Sequence, residues 1–296
     1  MASTPRADVA PAPDLTSAYR YCTGLAKTHY ENFTVGSWFL PRRLRPYLYA
    51  VYAFCRHTDD LGDEVPGDRL SLLAAWEAEL TRCYGGTPTH PITVALQDTI
   101  ARFDIPDAPF RKLIQANRMD QRQQRFPTYQ DLLYYCDHSA NPVGRMVLYV
   151  LGYRDEERQR LSDATCTALQ LANFWQDVRR DWKVGRVYIP LEDMARFAYG
   201  ETDLAQGVAD DRFRELMRFE VDRAEALFRQ GLPLARMVRG RARIDMMLFS
   251  KGGMAVLRAI RRREYDVLSH RPMVSAARKL WLMLSTAAKA GLLGRP

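Results

Sequence analysis

The chain has no CxxC pair, and its five cysteines (Cys22, Cys55, Cys83, Cys136 and Cys166) fall far apart. An odd, scattered set excludes a disulfide framework and a cysteine zinc site, and it predicts a reducing, cytoplasmic compartment. No stretch of about 18 apolar residues exists, so no membrane-spanning helix is expected. The opening MASTPRADVAPAPD has no apolar h-region, so no secretory signal is expected either. Internal repeats and dividing linkers are missing, and strand-like alternation is scarce, with GRVYIP at 185–190 the best short extended piece. The first 13 residues, rich in Ala and Pro, read as a disordered tail. What remains is one all-α domain over 14–296.

Within that domain the apolar positions recur at helical spacing. The pattern predicts helices over 15–30, 42–62, 68–83, 91–103, 108–124, 129–135, 142–151, 156–182, 210–230, 240–262 and 273–290. Pro41 is placed to open the second and Thr128 to cap the one at TYQDLLYYC. Composition is that of an ordinary globular protein, 47% hydrophobic and 26% charged. The net charge of +8 favours an anionic partner: nucleic acid, anionic lipid or a phosphorylated small molecule. The basic residues are spread through most helices rather than gathered in a stripe, which argues against nucleic acid.

Against this basic background, HTDDLGDE at 57–64 gathers Asp59, Asp60, Asp63 and Glu64. On a helix Asp59 and Asp63 share a face one turn apart, where like charges repel by roughly 0.2–0.5 kcal/mol even on an open surface. A positive group between them is expected. QLANFWQDVRRD at 170–181 repeats the grammar: Asn173, Asp177 and Asp181 are each four apart on a strongly apolar helix. Hard oxygen ligands suit Mg²⁺, which keeps several waters and completes its shell with substrate phosphate. Either run alone reads equally as a solvated face. Arg56 and Arg186 flank the two runs, and spacing leaves open whether they pair with the acids or grip phosphate oxygens.

Four stretches, YAFCRHTDDLGDE, NFWQDVRRD, GRVYIP and EYDVL, occur in the order found in the squalene and phytoene synthase family, and the chain resembles that family from about residue 15 to 270. The resemblance implies the all-α isoprenoid synthase fold, with a central cavity lined by helices. It implies two or three Mg²⁺ ions held with the substrate diphosphate by Asp59, Asp60, Asp63, Asn173, Asp177 and Asp181. By the same resemblance Tyr52, Arg56, Tyr188 and Tyr265 fall at catalytic positions. His29, Asn32, Phe33, Gln170, Gln176 and Arg186, with Arg56, fall at substrate-binding ones.

Within the family, HYENF at 29–33, SANPVG at 139–144 and Gln176 resemble the hydroxysqualene synthases of bacterial hopanoid biosynthesis. Asn141 is expected to cap, and Pro142 to open, a helical segment there. Gln176 stands where relatives place an arginine, which suggests a site lacking one cationic phosphate ligand. The implied reaction turns presqualene diphosphate into hydroxysqualene, with water capturing the cation and no nicotinamide required. Two alternatives stay open: a synthase joining two farnesyl diphosphates, and a non-catalytic assembly protein. RKLWLMLSTAAKAGLLGR at 278–295 sets Arg278, Lys279, Lys289 and Arg295 around Leu280, Trp281, Leu282, Met283 and Leu284. That helix reads either as core or as a peripheral contact with the inner membrane surface. Oligomeric state is not legible.

Overall fold

The computed structural model describes residues 14–28 and 41–292, with side chains through 288. The predicted tail at 1–13, and His29, Asn32, Phe33 and Arg295, lie outside the described residues, as does the side chain of Lys289. All regular structure among the described residues is helical. We label α1 (Leu15–Thr28), α2 (Arg45–Asp63), α3 (Arg69–Gly85), α4 (Pro91–Phe103), α5 (Ala108–Asp120), α6 (Tyr129–Ser139) and α7 (Asn141–Val150). There follow α8 (Glu156–Lys183), α9 (Leu191–Arg196), α10 (Glu201–Gln206), α11 (Asp211–Gly231), α12 (Leu234–Met237), α13 (Ala242–Arg262) and α14 (Ala276–Leu292).

The start signals act as their chemistry dictates. Pro41 precedes a 3₁₀ turn, Arg42–Leu44, that runs straight into α2. Thr128 and Asp131 form a reciprocal capping box on α6. Asn141 departs from expectation: Ala140 is the N-cap of α7, and the Asn141 amide oxygen accepts from Thr167 Oγ1 at 2.9 Å. Its side chain therefore ties α7 to α8 instead of capping. The short helices α9, α10 and α12 were absent from the periodic pattern, being too brief to show one.

Two cores hold the helices. Around α2, Leu48, Val51 and Phe54 are buried with Leu73, Trp76, Leu80, Leu96 and Phe110. Around α8, Leu171 and Trp175 are buried with Phe213, Leu216, Val221 and Phe228 of α11. Each such side chain contributes roughly 1.5–3 kcal/mol on burial. The extended piece at GRVYIP exists as a single bridge, with Val187 lying parallel to Arg125 and donating to the Gln124 carbonyl at 2.9 Å. Among the described residues no helix is long and apolar enough to cross a membrane.

Candidate active site

Close packing of α2 on α5 builds the first half of the site. A Cβ on Gly62 would fall 2.1 Å from Asn117 Oδ1, so only glycine lets the two helices approach this nearly. At this crossing Asn117 Nδ2 donates to Asp59 Oδ1 at 3.2 Å, and Gln121 Nε2 donates to the Gly62 carbonyl at 2.9 Å. Asp59 is exposed to solvent yet ringed by protein, as a group in a wetted recess must be. Enclosure pushes its carboxyl up to about 6; the Asn117 hydrogen bond opposes this and the Asp63 charge adds to it.

Asp63 answers the question of a positive neighbour. Arg186 Nη2 donates to its Oδ1 at 2.8 Å, from a segment 123 residues away. Gly185, at φ +82°, makes the turn that sends Arg186 back across the end of α8. The same guanidinium acts on Asp120 and Asp181, so one cation stands among acids from α2, α5 and α8. Asp120 is pushed up to about 6 by burial, against Arg186 and a 3.1 Å hydrogen bond from the Tyr135 hydroxyl. Tyr188 is buried behind them, stacked on Phe174 with centroids 3.8 Å apart and flanked by Phe126 and Tyr135.

Asp60 turns away from this group. It lies about 100° around the helix from Asp59 and faces Arg56 Nη2 at 2.5 Å; the same nitrogen reaches Glu64 at 2.6 Å. Asp60, expected among the metal ligands of the first run, is here the ion-pair partner of Arg56, as Asp63 is of Arg186 and Asp177 of Arg271. Tyr52 lies one turn before Arg56, half-buried, where burial raises its hydroxyl pKa.

On α8, Asn173 is exposed, Gln170 half-buried, and Asp177 and Asp181 lie further along the same helix. Burial and the Asp177 charge push Asp181 up to about 7, against Arg186, Arg180 and Arg271. Asp177 takes both ends of the Arg271 fork, Nε at 2.5 Å and Nη2 at 2.8 Å. Gln176 is buried: its Oε1 accepts from Arg271 Nη2 at 3.0 Å and its amide donates to the Pro272 carbonyl. A guanidinium does stand at this point, supplied by the segment after α13 and held in register by Gln176. Tyr265 begins that segment at φ +63°, with its ring under Arg218 of α11.

Asn117, Asp120, Gln121, Tyr135 and Arg271 are the site residues that sequence reasoning missed. The first three carry a usable signal, since NRMDQ sets polar groups at i, i+3 and i+4 in line with the buried Leu113 and Ile114. Arg271 has none.

Asp59, Asp120 and Asp181 are all raised, and the acids gathered here outnumber the guanidinia of Arg186 and Arg271, which fits divalent cations that would relieve them. Among the described residues no three His, Cys, Asp or Glu converge on one point. A cation held here would have to complete its shell with water or substrate oxygens. His57 is set among rings instead: burial first, then His90, lowers it to about 4, and it stacks on His90 with Trp76 edge-on to it.

N-terminal to Asn173 on α8, an apolar cavity of about 240 Å³ opens between α7, α8 and α13, lined by Val143, Val147, Thr165, Leu169, Met246 and Phe249 among others. A helical scaffold thus presents carboxylates and guanidinia at one end and an apolar chamber at the other. Such an arrangement suits a ligand with a long apolar chain and an anionic head.

The chain belongs to the squalene/phytoene synthase family, whose profile matches residues 26–278. It is similar to the crystal structure of squalene synthase HpnC from Alicyclobacillus acidocaldarius, at 49% identity and TM-score 0.83, covering 85% of this chain and 95% of that one. A dehydrosqualene synthase solved with a ligand superposes with TM-score 0.85 at 27% identity, over 94% and 98% of the two chains. The 15-cis-phytoene synthase of Synechococcus elongatus is 35% identical over 284 residues, 90% of this chain and 91% of the relative. The fold is the isoprenoid synthase fold of these proteins.

Proposed function

We propose that the protein converts presqualene diphosphate to hydroxysqualene with release of diphosphate. The observation that carries this reading is the pairing of two carboxylate lines, joined through Arg186, with an apolar cavity along the same helix. The 49% identity to a squalene synthase HpnC supports the squalene side of the family.

Asp59, Asp63, Asn173, Asp177 and Asp181 would hold Mg²⁺. When bound, Mg²⁺ neutralises the carboxylates and takes up charge on the departing diphosphate. The chain's own residues do the rest. Arg186 and Arg271 can leave their carboxylates for phosphate oxygens, and Arg56 lies one turn before Asp60 as a third donor. The carbon–oxygen bond breaks with its electron pair on the diphosphate, leaving a cyclopropylcarbinyl cation. Aromatic faces can stabilise positive charge without forming a bond to it, and the apolar wall beyond offers no nucleophile to trap it. Ring opening and attack by a water oxygen give the alcohol, and the water's proton passes to the diphosphate or to solvent. Atoms and charge balance with no hydride donor, so no nicotinamide is called for.

The test is incubation with presqualene diphosphate and Mg²⁺ in ¹⁸O-labelled water. Labelled hydroxysqualene is the expected product, without added nicotinamide. Squalene formed only with reduced nicotinamide would overturn the reading, as would no turnover. A second reading, phytoene formation, draws on the 35% identity to a phytoene synthase. It predicts a hydrocarbon from linear prenyl diphosphates and no alcohol.

A further inference from the structure

Beyond the strap that carries Arg186 and Tyr188, two acids are buried against one cation. Asp193 of α9 is 3% exposed and Glu220 of α11 is 0% exposed. Arg223, almost one turn after Glu220, spends its fork on Asp193, donating to both carboxylate oxygens at 2.9 Å. The guanidinium lies 3.9 Å over the Tyr129 ring and 4.3 Å over the Phe219 ring, which fixes its plane. Glu220 receives little from it. Arg223 Nη1 stands 3.6 Å from Glu220 Oε2, and neither Glu220 oxygen has a hydrogen-bond partner.

An ionised carboxylate there would lie out of water, without a donor and beside a second negative charge. With a proton of its own Glu220 becomes a donor, and the acceptor that faces it is Asp193. Burial above all, with Asp193 and Glu192 adding to it against Arg223, pushes Glu220 well above the ordinary carboxyl range. On the α6 side Tyr129 stays neutral, pushed up to about 12 by burial, and burial also raises the Cys136 thiol. Of the other elements packed on α11, α8 brings Leu171 and Trp175 to the shared core, and the α13 cation Arg261 is taken by Asp222 and Glu225.

The acid pair sits where the strap ends. Leu191 N donates to the Phe126 carbonyl at 2.9 Å and Glu192 N to the Pro127 carbonyl at 3.0 Å, while Glu192 Oε1 accepts from Tyr129 N at 2.6 Å. Glu192 is exposed, so Asp193 is the buried charge that anchors this stretch. We propose that Glu220 and Asp193 share one proton, and that this proton fastens α9, and with it the strap bearing Arg186 and Tyr188, onto α11. Loss of the proton leaves two buried carboxylates on one guanidinium. The strap is the part that yields, because α11 is held along α8 by Phe213, Leu216, Val221 and Phe228, whereas α9 spans only six residues. Glu220 binds its proton more tightly with the strap closed than with it open. The fastening is therefore complete below its ordinary value of 4.5 and is lost as pH rises through the raised one.

The test is amide hydrogen exchange of the full chain, wild type against Glu220→Gln at each pH. The intrinsic exchange chemistry cancels in the ratio, and glutamine keeps a donor for Asp193 at every pH. The wild-type-to-variant ratio of exchange rates at the Leu191 and Glu192 amides should rise about tenfold per pH unit above about pH 5, to about a hundredfold near pH 7, because opening releases one proton. The α11 amide of Val221 should exchange more slowly than both throughout. Should Glu220→Gln misfold, Asp193→Asn asks the same question: Arg223 is then left to Glu220 alone, Glu220 ionises, and the ratio should climb in the same way. A ratio constant with pH, at whatever value, would reduce Glu220 to a packing role and overturn the proposal. Strap amides that exchange no faster than Val221 would overturn it as well. No prenyl substrate enters this assay, so its failure leaves the proposed reaction standing, and failure of the reaction leaves the shared proton standing.

Discussion

Replacing Arg271 with glutamine should change cation binding and diphosphate binding in opposite directions. In the structure Arg271 already holds Asp177 by two short contacts, at 2.5 and 2.8 Å, with side-chain exposures of 35% for the arginine and 20% for the aspartate. A divalent cation that uses Asp177 must first displace this fork. Bidentate charge-assisted contacts at partial exposure are worth about 1–2 kcal/mol after solvent screening. Removing the competitor should therefore tighten Mg²⁺ binding to the diphosphate-free protein by about tenfold. With pyrophosphate present the sign inverts, because the displaced guanidinium is then free to grip a phosphate oxygen. Its loss should weaken pyrophosphate binding at saturating Mg²⁺ by about tenfold or more. Two calorimetric titrations, Mg²⁺ alone and then pyrophosphate into the Mg²⁺-loaded protein, measure both. Gln176→Leu, which frees Arg271 from its register without removing its charge, should shift each value part of the way. Weaker Mg²⁺ binding by Arg271→Gln would show that the arginine supports the cation site rather than competing for it, and the reasoning would fail.

Asp181, raised to about 7 in the folded chain against an ordinary 3.8, binds its proton more tightly folded than unfolded. The stability it contributes is complete below about pH 4 and is lost as pH rises through 7, so Asp181→Asn should raise the metal-free melting temperature at about pH 8, by the equivalent of about 1–2 kcal/mol, and leave it little changed at about pH 4. An equal shift at both pH values would refute the assignment. Gly62→Ala should cost about 1–3 kcal/mol by driving a methyl into Asn117, and should weaken Mg²⁺ binding because Asn117 braces Asp59. Adding Asn117→Ala should recover most of the stability but not the Mg²⁺ affinity, as thermal melts and titration together would show.

Much of this was legible in the residues, and the rest was hidden for physical reasons. Helical periodicity located α2 and α8 to within a few residues, because both carry long apolar faces, α2 opening with Pro46 in its first turn and α8 on the Asp155 cap. The i,i+4 rule found Asp59 with Asp63, and Asn173 with Asp177 and Asp181. The same rule sets Arg56, Asp60 and Glu64 on a neighbouring line, and the structure pairs them there. Gln176 was visible as a departure, but its meaning was not. Arg271 lies 94 residues from Asp177, and no local pattern records a contact made by tertiary folding. The Arg186 contact with Asp63 was hidden in the same way, although the flanking position of Arg186 hinted at it.

The length of α8 has a further consequence. Its residues border the apolar cavity from Ser162 to Leu169 and carry the carboxylates from Asn173 onward, with no break in the helix between. From Ser162 to Asn173 the rise is about 16 Å, the order of an extended fifteen-carbon chain. Both marks are engraved on one rod, so loops may open and neighbouring helices may tilt without altering the interval between them. Under the proposed reaction, measurement of chain length would thereby be separated from whatever motion admits the substrate. A residue inserted between Leu169 and Asn173 would spoil the gauge, turning every later carboxylate by 100° and shifting it by about 1.5 Å, whereas an insertion in the loop before α8 would leave the scale intact.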